Sequence, residues 1–197
     1  MRLPGRGRSA APAPVDWLVV GLGNPGSRYA GTPHNIGFEV ASRLAERWDL
    51  PRARKKYAGL LTEGRTGPGG PRVAVLLPQT YMNEAGRSVG PARGAYKLAL
   101  ERVLVIHDEI DLSFGAVRTR IGGGLAGHNG LKSLKAELGG PEFARVRVGV
   151  GRPDSTDPEL VSAHVLGAFR QSKAEVAELV DDAARAAEAI VLGEREL

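Results

Sequence analysis

A histidine and an aspartate each follow an apolar, strand-like run of this chain, in positions suited to acid–base chemistry. His34 comes after Leu18–Val20 and a glycine-rich turn, and Asp108 comes after Val103–Ile106. Ligands of open α/β sheets bind outside the carboxyl ends of the strands. A carboxylate beside an imidazole fixes its tautomer and stabilises the imidazolium. Since the chain has no cysteine and no serine in a strand-to-helix nucleophile elbow, the pair indicates an activated water.

The residues around His34 favour a neutral imidazole at the start of a helix. Thr32 suits a helix cap and Pro33 the first helical position. Apolar residues then follow at helical spacing: Ile36, Val40 and Leu44. The positive end of the helix disfavours imidazolium, which leaves a neutral general base. The same pattern also fits a histidine that only caps or packs the helix, so both roles stay open.

The chain's asparagines all fall in polar clusters beside predicted strand ends or helix starts. They are Asn24, Asn35, Asn83 and Asn129. An uncharged amide offers both a donor and an acceptor. Several convergent amides can bind a peptide main chain and polarise a carbonyl. Turn chemistry explains any single asparagine equally well, because Asn tolerates left-handed backbone conformations.

A glycine-rich loop and a set of arginines form a candidate anion site. The loop, residues 122–130, opens a helix whose start can hold a phosphate or a sugar. Arg120 precedes this loop, whereas Arg145 and Arg147 alternate with valines along a later strand. Arg120 and Arg147 can meet at one phosphate, because paired guanidinium groups bind it well. The alternative is a solvated strand face.

A dinucleotide-binding loop is a second interpretation of the first turn. Gly21, Gly23 and Gly26 spell G-x-G-x-x-G after a strand. However, Pro25 lies inside the loop, and no acidic residue closes a clear second strand about 20 residues later, where the ribose ligand is expected. The pattern is therefore weak support for a nicotinamide-dependent enzyme.

A metal site is an alternative use of the acidic cluster that contains Asp108. The possible ligands are His107, Asp108, Glu109 and Asp111. Side chains of a strand alternate between faces, so His107 and Glu109 are expected opposite to Asp108. No paired motif such as H-E-x-x-H supports metal. We therefore expect no metal at this cluster.

The composition is that of a globular domain with one positive region. Of 197 residues, 42% are hydrophobic and 25% are charged, and no apolar run is long enough to span a membrane. Residues 154–197 hold 10 acidic and 4 basic residues, whereas residues 1–153 hold 23 basic and 12 acidic ones. Such a basic body attracts phosphate backbones. The lack of cysteine fits a cytoplasmic location.

Alternating apolar patterns predict an α/β fold, a single domain with a central twisted mixed β-sheet covered by helices. The predicted strands are 15–20, 57–62, 72–77, 103–106, 116–120 and 145–150. The predicted helices are 36–48, 88–98, 129–138 and 171–192, and 151–158 is predicted as a loop. Residues 1–14 form a basic segment rich in Pro, Gly and Ala, which we predict to be a disordered tail.

Taken together, these motifs resemble the bacterial peptidyl-tRNA hydrolase family. The matching blocks, in the family's order, are GLGNPG with PHNIGF, PQTYMNEAG, HDEIDLSFG, GGGLAGHNGLKSL, FARVRVGVGRP and HVLGAF. The resemblance covers most of the chain and makes residues 15–197 the catalytic domain. It implies a monomeric, cytoplasmic enzyme that hydrolyses the ester between a peptide and the 3′ end of tRNA without a cofactor. A catalytically silent RNA-binding protein is the alternative, disfavoured because the His/Asp/Asn set is intact.

The resemblance also implies a role for each site residue. His34 matches the base that acts on water, Asp108 matches its supporting aspartate, and Asn24 matches a residue linked to selecting blocked substrates. Asn83 and Asn129 match residues that hold the peptide and the reacting centre. Further matches line the substrate site (Tyr29, Tyr81, Met82 and His128) or clamp the tRNA 5′ phosphate (Arg120 and Arg147). The departures are Pro33, Ala85, Arg118 and Arg120, which replace other common residues, and none of them removes a catalytic group.

Overall fold

A seven-stranded mixed sheet forms the centre of the molecule, which a computed structural model describes over residues 12–197. The strands are β1 (Trp17–Gly21), β2 (Arg54–Lys56), β3 (Gly59–Arg65), β4 (Arg72–Pro78), β5 (Val103–Glu109), β6 (Val117–Ile121) and β7 (Ala144–Gly149). The helices are α1 (Ile36–Arg47), α2 (Gly86–Tyr96), α3 (Asn129–Leu138), α4 (Pro158–Leu166) and α5 (Lys173–Val191). This architecture confirms the predicted α/β class with a mixed sheet. Most of the predicted tail, residues 1–11, lies outside the described part of the chain.

The order of the strands brings several polar loops to one edge of the sheet. The order is β2-β3-β4-β1-β5-β7-β6. The four central strands β4, β1, β5 and β7 are parallel, whereas β2, β3 and β6 pair in antiparallel fashion. The carboxyl ends of the central strands therefore meet at the same edge, where ligands bind in open α/β sheets.

Helices cover both faces of the sheet. Successive residues of β5 point to opposite faces, so Ile106 packs on the side of α1 and α5, and Val105 packs on the side of α2 and α3. The predicted last helix forms as α5, and one apolar face of it, with Leu179, Ala183 and Ile190, is buried against the sheet. Within residues 12–197, no helix combines the length and hydropathy that a membrane crossing requires.

Two glycines allow α1 to approach the sheet very closely. A Cβ atom on Gly21 would lie 2.3 Å from the Gly37 carbonyl oxygen, and one on Gly37 would lie 2.4 Å from the Ile106 carbonyl oxygen. The close approach places the turn before α1, which carries His34, beside the end of β5. A dinucleotide-binding loop opens directly into a helix. Here a short 3₁₀ turn follows Gly26 and α1 begins only at Ile36, so the role of Gly21 is to allow close packing of α1.

Three local features differ from the predictions. Thr32 does not cap a helix with its side chain; its hydroxyl donates to the Tyr29 carbonyl at 2.7 Å, and a 3₁₀ turn, Pro33–Asn35, precedes α1. Helix α4 was not predicted, although Asp157 caps it and Pro158 occupies its first turn. The short edge strand β2 was not predicted either, because its sequence RKK has no apolar alternation.

Candidate active site

His34 and Asp108 form a hydrogen-bonded pair at the carboxyl end of β5. His34 Nδ1 lies 2.9 Å from Asp108 Oδ1, and the Asp108 side chain is almost fully buried. Because an ionised carboxylate only accepts, the imidazole donates from Nδ1. His34 Nε2 therefore carries the lone pair, and no residue among 12–197 engages it. This arrangement suits a general base whose tautomer is fixed by a carboxylate.

A second imidazole, His128, donates to the same carboxylate oxygen. His128 Nε2 lies 2.9 Å from Asp108 Oδ1, and His128 Nδ1 accepts from the backbone N–H groups of Gly130 and Leu131 at 3.1 and 3.3 Å. The helix start thus fixes the Nδ1 lone pair, so the ring proton resides on Nε2. Residue 128, which the resemblance assigns to substrate contact, is also a partner of Asp108.

The two imidazoles keep Asp108 ionised. Burial by itself raises the pKa of this carboxyl, but the attraction and hydrogen bonds of His128 and His34 outweigh burial and hold the pKa well below its usual range. His107 differs, since burial lowers its pKa to about 3. Its Nδ1 donates to the Asp108 carbonyl at 2.7 Å, and its ring packs edge-on against His128. A neutral His107 thus supports Asp108 from behind the site.

The same geometry does not fit a metal ion. His34, Asp108 and His128 do bring their ligand atoms within 4.8 Å of one another. However, the proton on His128 Nε2 leaves that nitrogen no lone pair for a metal, because Nδ1 is committed to the helix start. The acidic cluster predicted as an alternative metal site is also dispersed, since Glu109 instead pairs with Arg147 at 3.1 Å.

Asn24 is held rigidly at the end of β1. Its backbone N–H donates to Asn35 Oδ1 at 2.9 Å, and Asn35 Nδ2 donates to the Asn24 carbonyl at 3.0 Å. Its own Oδ1 accepts from the Met82 backbone N–H at 2.7 Å. The Asn24 amide NH₂ is therefore the group that remains for substrate. No separate role was predicted for Asn35, because its two hydrogen bonds to the Asn24 backbone depend on the fold.

These residues lie along one cleft with a volume of about 660 Å³. The predicted residues that line it are Asn24, Tyr29, His34, Tyr81, Met82, Asn83, Asp108, His128 and Asn129. Asn83 and Asn129 are exposed, and their side chains make no hydrogen bond to any residue of 12–197. Tyr81 is 60% exposed, whereas Met82 is buried. The cleft thus presents unpaired amides and an aromatic ring around the His34 imidazole.

Helix α4 provides a wall of the cleft that was not predicted. Val161, Val165 and Leu166 line the cleft, and Leu160 beside them is 53% exposed. An exposed apolar helix next to polar groups is typical of a surface that receives a ligand. The pair Asp157-Pro158, a cap followed by proline, is the sequence signal that identifies this helix.

The remaining predicted residues, Arg120 and Arg147, lie on the β6–β7 side of the sheet. In the antiparallel register Arg120 lies opposite Arg145, and Arg118 lies opposite Arg147, so all four side chains share one face. Arg120 is exposed and Arg147 is partly exposed. Arg145 is buried, which contradicts the solvated strand face considered for this strand. Arg147 donates from Nε to the Glu109 carboxylate, and this bond leaves the two terminal nitrogens of Arg147 available.

One stretch of the chain spells the pattern of a serine nucleophile, G-x-S-x-G, at residues 86–90. The expectation that the chain has no such serine nucleophile still fits the structure. Ser88 lies inside α2, not on a strand-to-helix turn, and its side chain is completely buried. It does not line the cleft. Ser88 is therefore not placed to act as a nucleophile in the cleft.

Comparisons with known proteins agree over nearly the whole described chain. The family model described as peptidyl-tRNA hydrolase matches residues 18–196. A relative named peptidyl-tRNA hydrolase from Anaeromyxobacter dehalogenans is 52% identical over 163 residues, 82% of this chain and 81% of the relative. One from Renibacterium salmoninarum is 44% identical over 176 residues, 89% of this chain and 90% of the relative. The crystal structure of peptidyl-tRNA hydrolase from Acinetobacter baumannii superposes with a TM-score of 0.80 at 40% identity, covering 90% of this chain and 89% of that chain.

Proposed function

Since this chain belongs to the peptidyl-tRNA hydrolase family, we propose that it cleaves the ester of peptidyl-tRNA with a water molecule activated by His34. The chain is a hydrolase of peptidyl-tRNA, and this reaction frees tRNA for translation. The observation that carries the mechanism is the 2.9 Å contact between His34 Nδ1 and Asp108 Oδ1, which leaves Nε2 as a base in the cleft.

In the first step, His34 Nε2 takes a proton from water while the water oxygen attacks the ester carbonyl. The buried Asp108 carboxylate stabilises the imidazolium that forms. The carbonyl oxygen becomes an oxyanion, and the Asn83 amide donates a hydrogen bond to it. In the second step the C–O bond to the ribose breaks, and the imidazolium returns its proton to the 3′ oxygen of tRNA. The products are free tRNA and a peptide carboxylic acid, which releases its proton to solvent and becomes a carboxylate.

The substrate extends from the cleft in two directions. Asn24 and Asn129 offer amides to the peptide main chain, and Tyr29, Tyr81 and Met82 pack against its side chains. The tRNA acceptor arm lies over the basic face, where Arg120 and Arg147 bind the 5′ phosphate as a pair of guanidinium groups. Neither the chemical step nor this binding requires a cofactor. We propose that the enzyme acts in the cytoplasm and that it is a monomer.

Release of N-acetylaminoacyl groups from N-acetylaminoacyl-tRNA tests the proposal. The wild-type chain should hydrolyse this substrate and His34→Ala should not, whereas His164→Ala, which changes a histidine outside the cleft, should stay active. A single turnover in ¹⁸O-labelled water tests whether the oxygen of water enters the product. Attack by water on the ester carbonyl places ¹⁸O in the released carboxylate. Unlabelled product would contradict direct attack by water.

A further inference from the structure

Arg145 is a buried guanidinium that no carboxylate neutralises directly. Its side chain is 1% exposed, and no acidic group within residues 12–197 forms a salt bridge with it. Burial, together with the nearby charges of Arg120 and Arg147, lowers its pKa to about 10, so it remains charged at neutral pH. A buried charge without a partner is costly and calls for another explanation.

The hydrogen bonds of Arg145 go to the glycine-rich loop instead. Nη1 donates to the Gly124 carbonyl at 3.1 Å, and Nη2 donates to the Gly122 carbonyl. Gly122 and Gly123 have φ values of +62° and +89°, so this loop turns away from regular structure. One planar guanidinium, with its fixed fork of donors, is thus the side chain that holds two carbonyls of the loop.

The anchored loop lies between the two functional regions of the molecule. At one end, Arg120 packs on Gly123 so closely that a Cβ atom on this glycine would lie 2.1 Å from the guanidinium carbon. At the other end, the loop continues through Ala126 and Gly127 in the cleft wall to His128, which donates to Asp108. A shift of this loop would therefore move both a phosphate-binding arginine and a partner of the catalytic carboxylate.

We propose that Arg145 is a positioning residue that holds the loop 122–127 and thereby aligns the phosphate-binding face with the catalytic cleft. This inference rests on the proposed function. Because Arg145 is buried, it touches neither the RNA nor the ester and acts only through the loop. Loss of the Arg145 side chain should therefore slow hydrolysis even of a substrate that lacks the 5′ phosphate, whereas loss of the Arg120 side chain should not.

Two substrates separate this role from simple attraction of RNA. One is N-acetylaminoacyl-tRNA, and the other is the N-acetylaminoacyl ester of a CCA trinucleotide with a 5′ hydroxyl. Arg120→Ala should lower kcat/KM on the tRNA substrate alone. Arg145→Met should lower kcat/KM roughly tenfold or more on both, as expected for the loss of charge-assisted hydrogen bonds. The double variant on tRNA should lose less than the product of the two single losses. Arg185→Met, which removes an exposed arginine of α5, is the control.

Two further measurements keep the test decisive. Backbone ¹⁵N relaxation of residues 123–127 should show lower order parameters in Arg145→Met, independently of activity. Arg145→Lys is the second variant, for the case that Arg145→Met does not fold. Its single ammonium group retains the charge but cannot bridge both carbonyls, so kcat/KM should again fall on both substrates. The proposal would be overturned if the Arg145 variants lost kcat/KM on the tRNA substrate alone, or if Arg145→Lys kept full activity on both substrates. A wild-type chain inactive on both substrates would refute the proposed function, while the relaxation data would still test the anchoring.

Discussion

The Nε2 atom of His128 lies 2.9 Å from Oδ1 of Asp108, the oxygen that also accepts from His34. Asp108 therefore divides its negative charge between two imidazoles. Since His128 uses Nδ1 as an acceptor at the start of α3, it can serve Asp108 only as an Nε2–H donor. This shared oxygen links the start of α3 to the strength of the base in the cleft.

His128→Asn should move the acid limb of the kcat/KM profile to higher pH. Asn keeps a cap for the backbone N–H of Gly130 but removes the donor to Asp108. The carboxylate then interacts more strongly with the imidazolium of His34, which becomes easier to form. The control, His128→Ala, should in addition lose about 1 kcal/mol of stability, because it also removes the cap. An acid limb that stays in place or moves to lower pH would show that His128 does not compete for Asp108.

Exhaustive treatment with EDTA should leave turnover unchanged. His128 Nε2 carries a proton and Asp108 Oδ1 is occupied by two donors, so the group does not offer a metal its usual ligands. The measurement is the rate of N-acetylaminoacyl-tRNA hydrolysis before and after dialysis against the chelator. Loss of turnover that one added divalent metal restores would contradict the proposed acid–base mechanism.

Arg120→Ala and Arg147→Ala should each weaken tRNA binding and flatten its salt dependence. Each lost phosphate contact should lower the slope of log K against log salt by up to about one unit. Binding is measured between low and moderate salt on a tRNA with a 5′ phosphate. Arg185→Ala removes the same charge from α5, where Arg185 pairs with Asp182, and it should retain the wild-type slope. If the variants at 120 and 147 also keep that slope, those arginines are surface charges without a phosphate contact.

The stability of the fold should decrease as the pH falls below about 6.5. The pKa of His107 is lowered to about 3 in the folded chain, so between these values only the unfolded chain binds this proton. One such group lowers the free energy of unfolding by up to about 1.4 kcal/mol per pH unit. The depressed pKa of Asp108 acts in the same direction, but only once the pH falls below the ordinary carboxyl range.

Urea denaturation between pH 5 and 7 isolates the contribution of His107. His107→Asn keeps a donor near the position of Nδ1 and removes the titrating ring, so it should reduce the pH slope in this window. Above pH 7 the two proteins should show parallel pH dependence. An equal slope in the variant throughout the window would assign the acid sensitivity to other groups.

Much of the fold was predictable, because the central strands are continuous apolar runs. Helix α3 begins and ends where its pattern predicts, at Asn129 and Leu138. Strand β2 lacks an apolar face because it is an exposed edge, and α4 keeps its apolar residues on the surface, with Val165 its buried residue. Both elements therefore lack the periodicity on which such predictions depend.

Most of the residues predicted for the site line the cleft, but the contacts between them were not predictable. Motifs identified His34, Asp108 and the asparagines, since these residues follow the strand ends. The burial of Arg145 was not predictable, because alternation with valine is typical of a half-exposed strand and a distant loop covers it here. The bond from His128 to Asp108 also depends on how the start of α3 meets β5, which no local pattern encodes.

The central claim is that His34 and Asp108 act as one catalytic unit, and a double-mutant cycle on kcat tests it most directly. Asp108→Asn should lower kcat by roughly 10- to 10⁴-fold, and His34→Ala should be at least as damaging. The double variant should be little worse than His34→Ala alone, because the carboxylate has no imidazolium left to stabilise. If the two single losses multiply fully in the double variant, His34 and Asp108 act independently and the proposed mechanism is wrong.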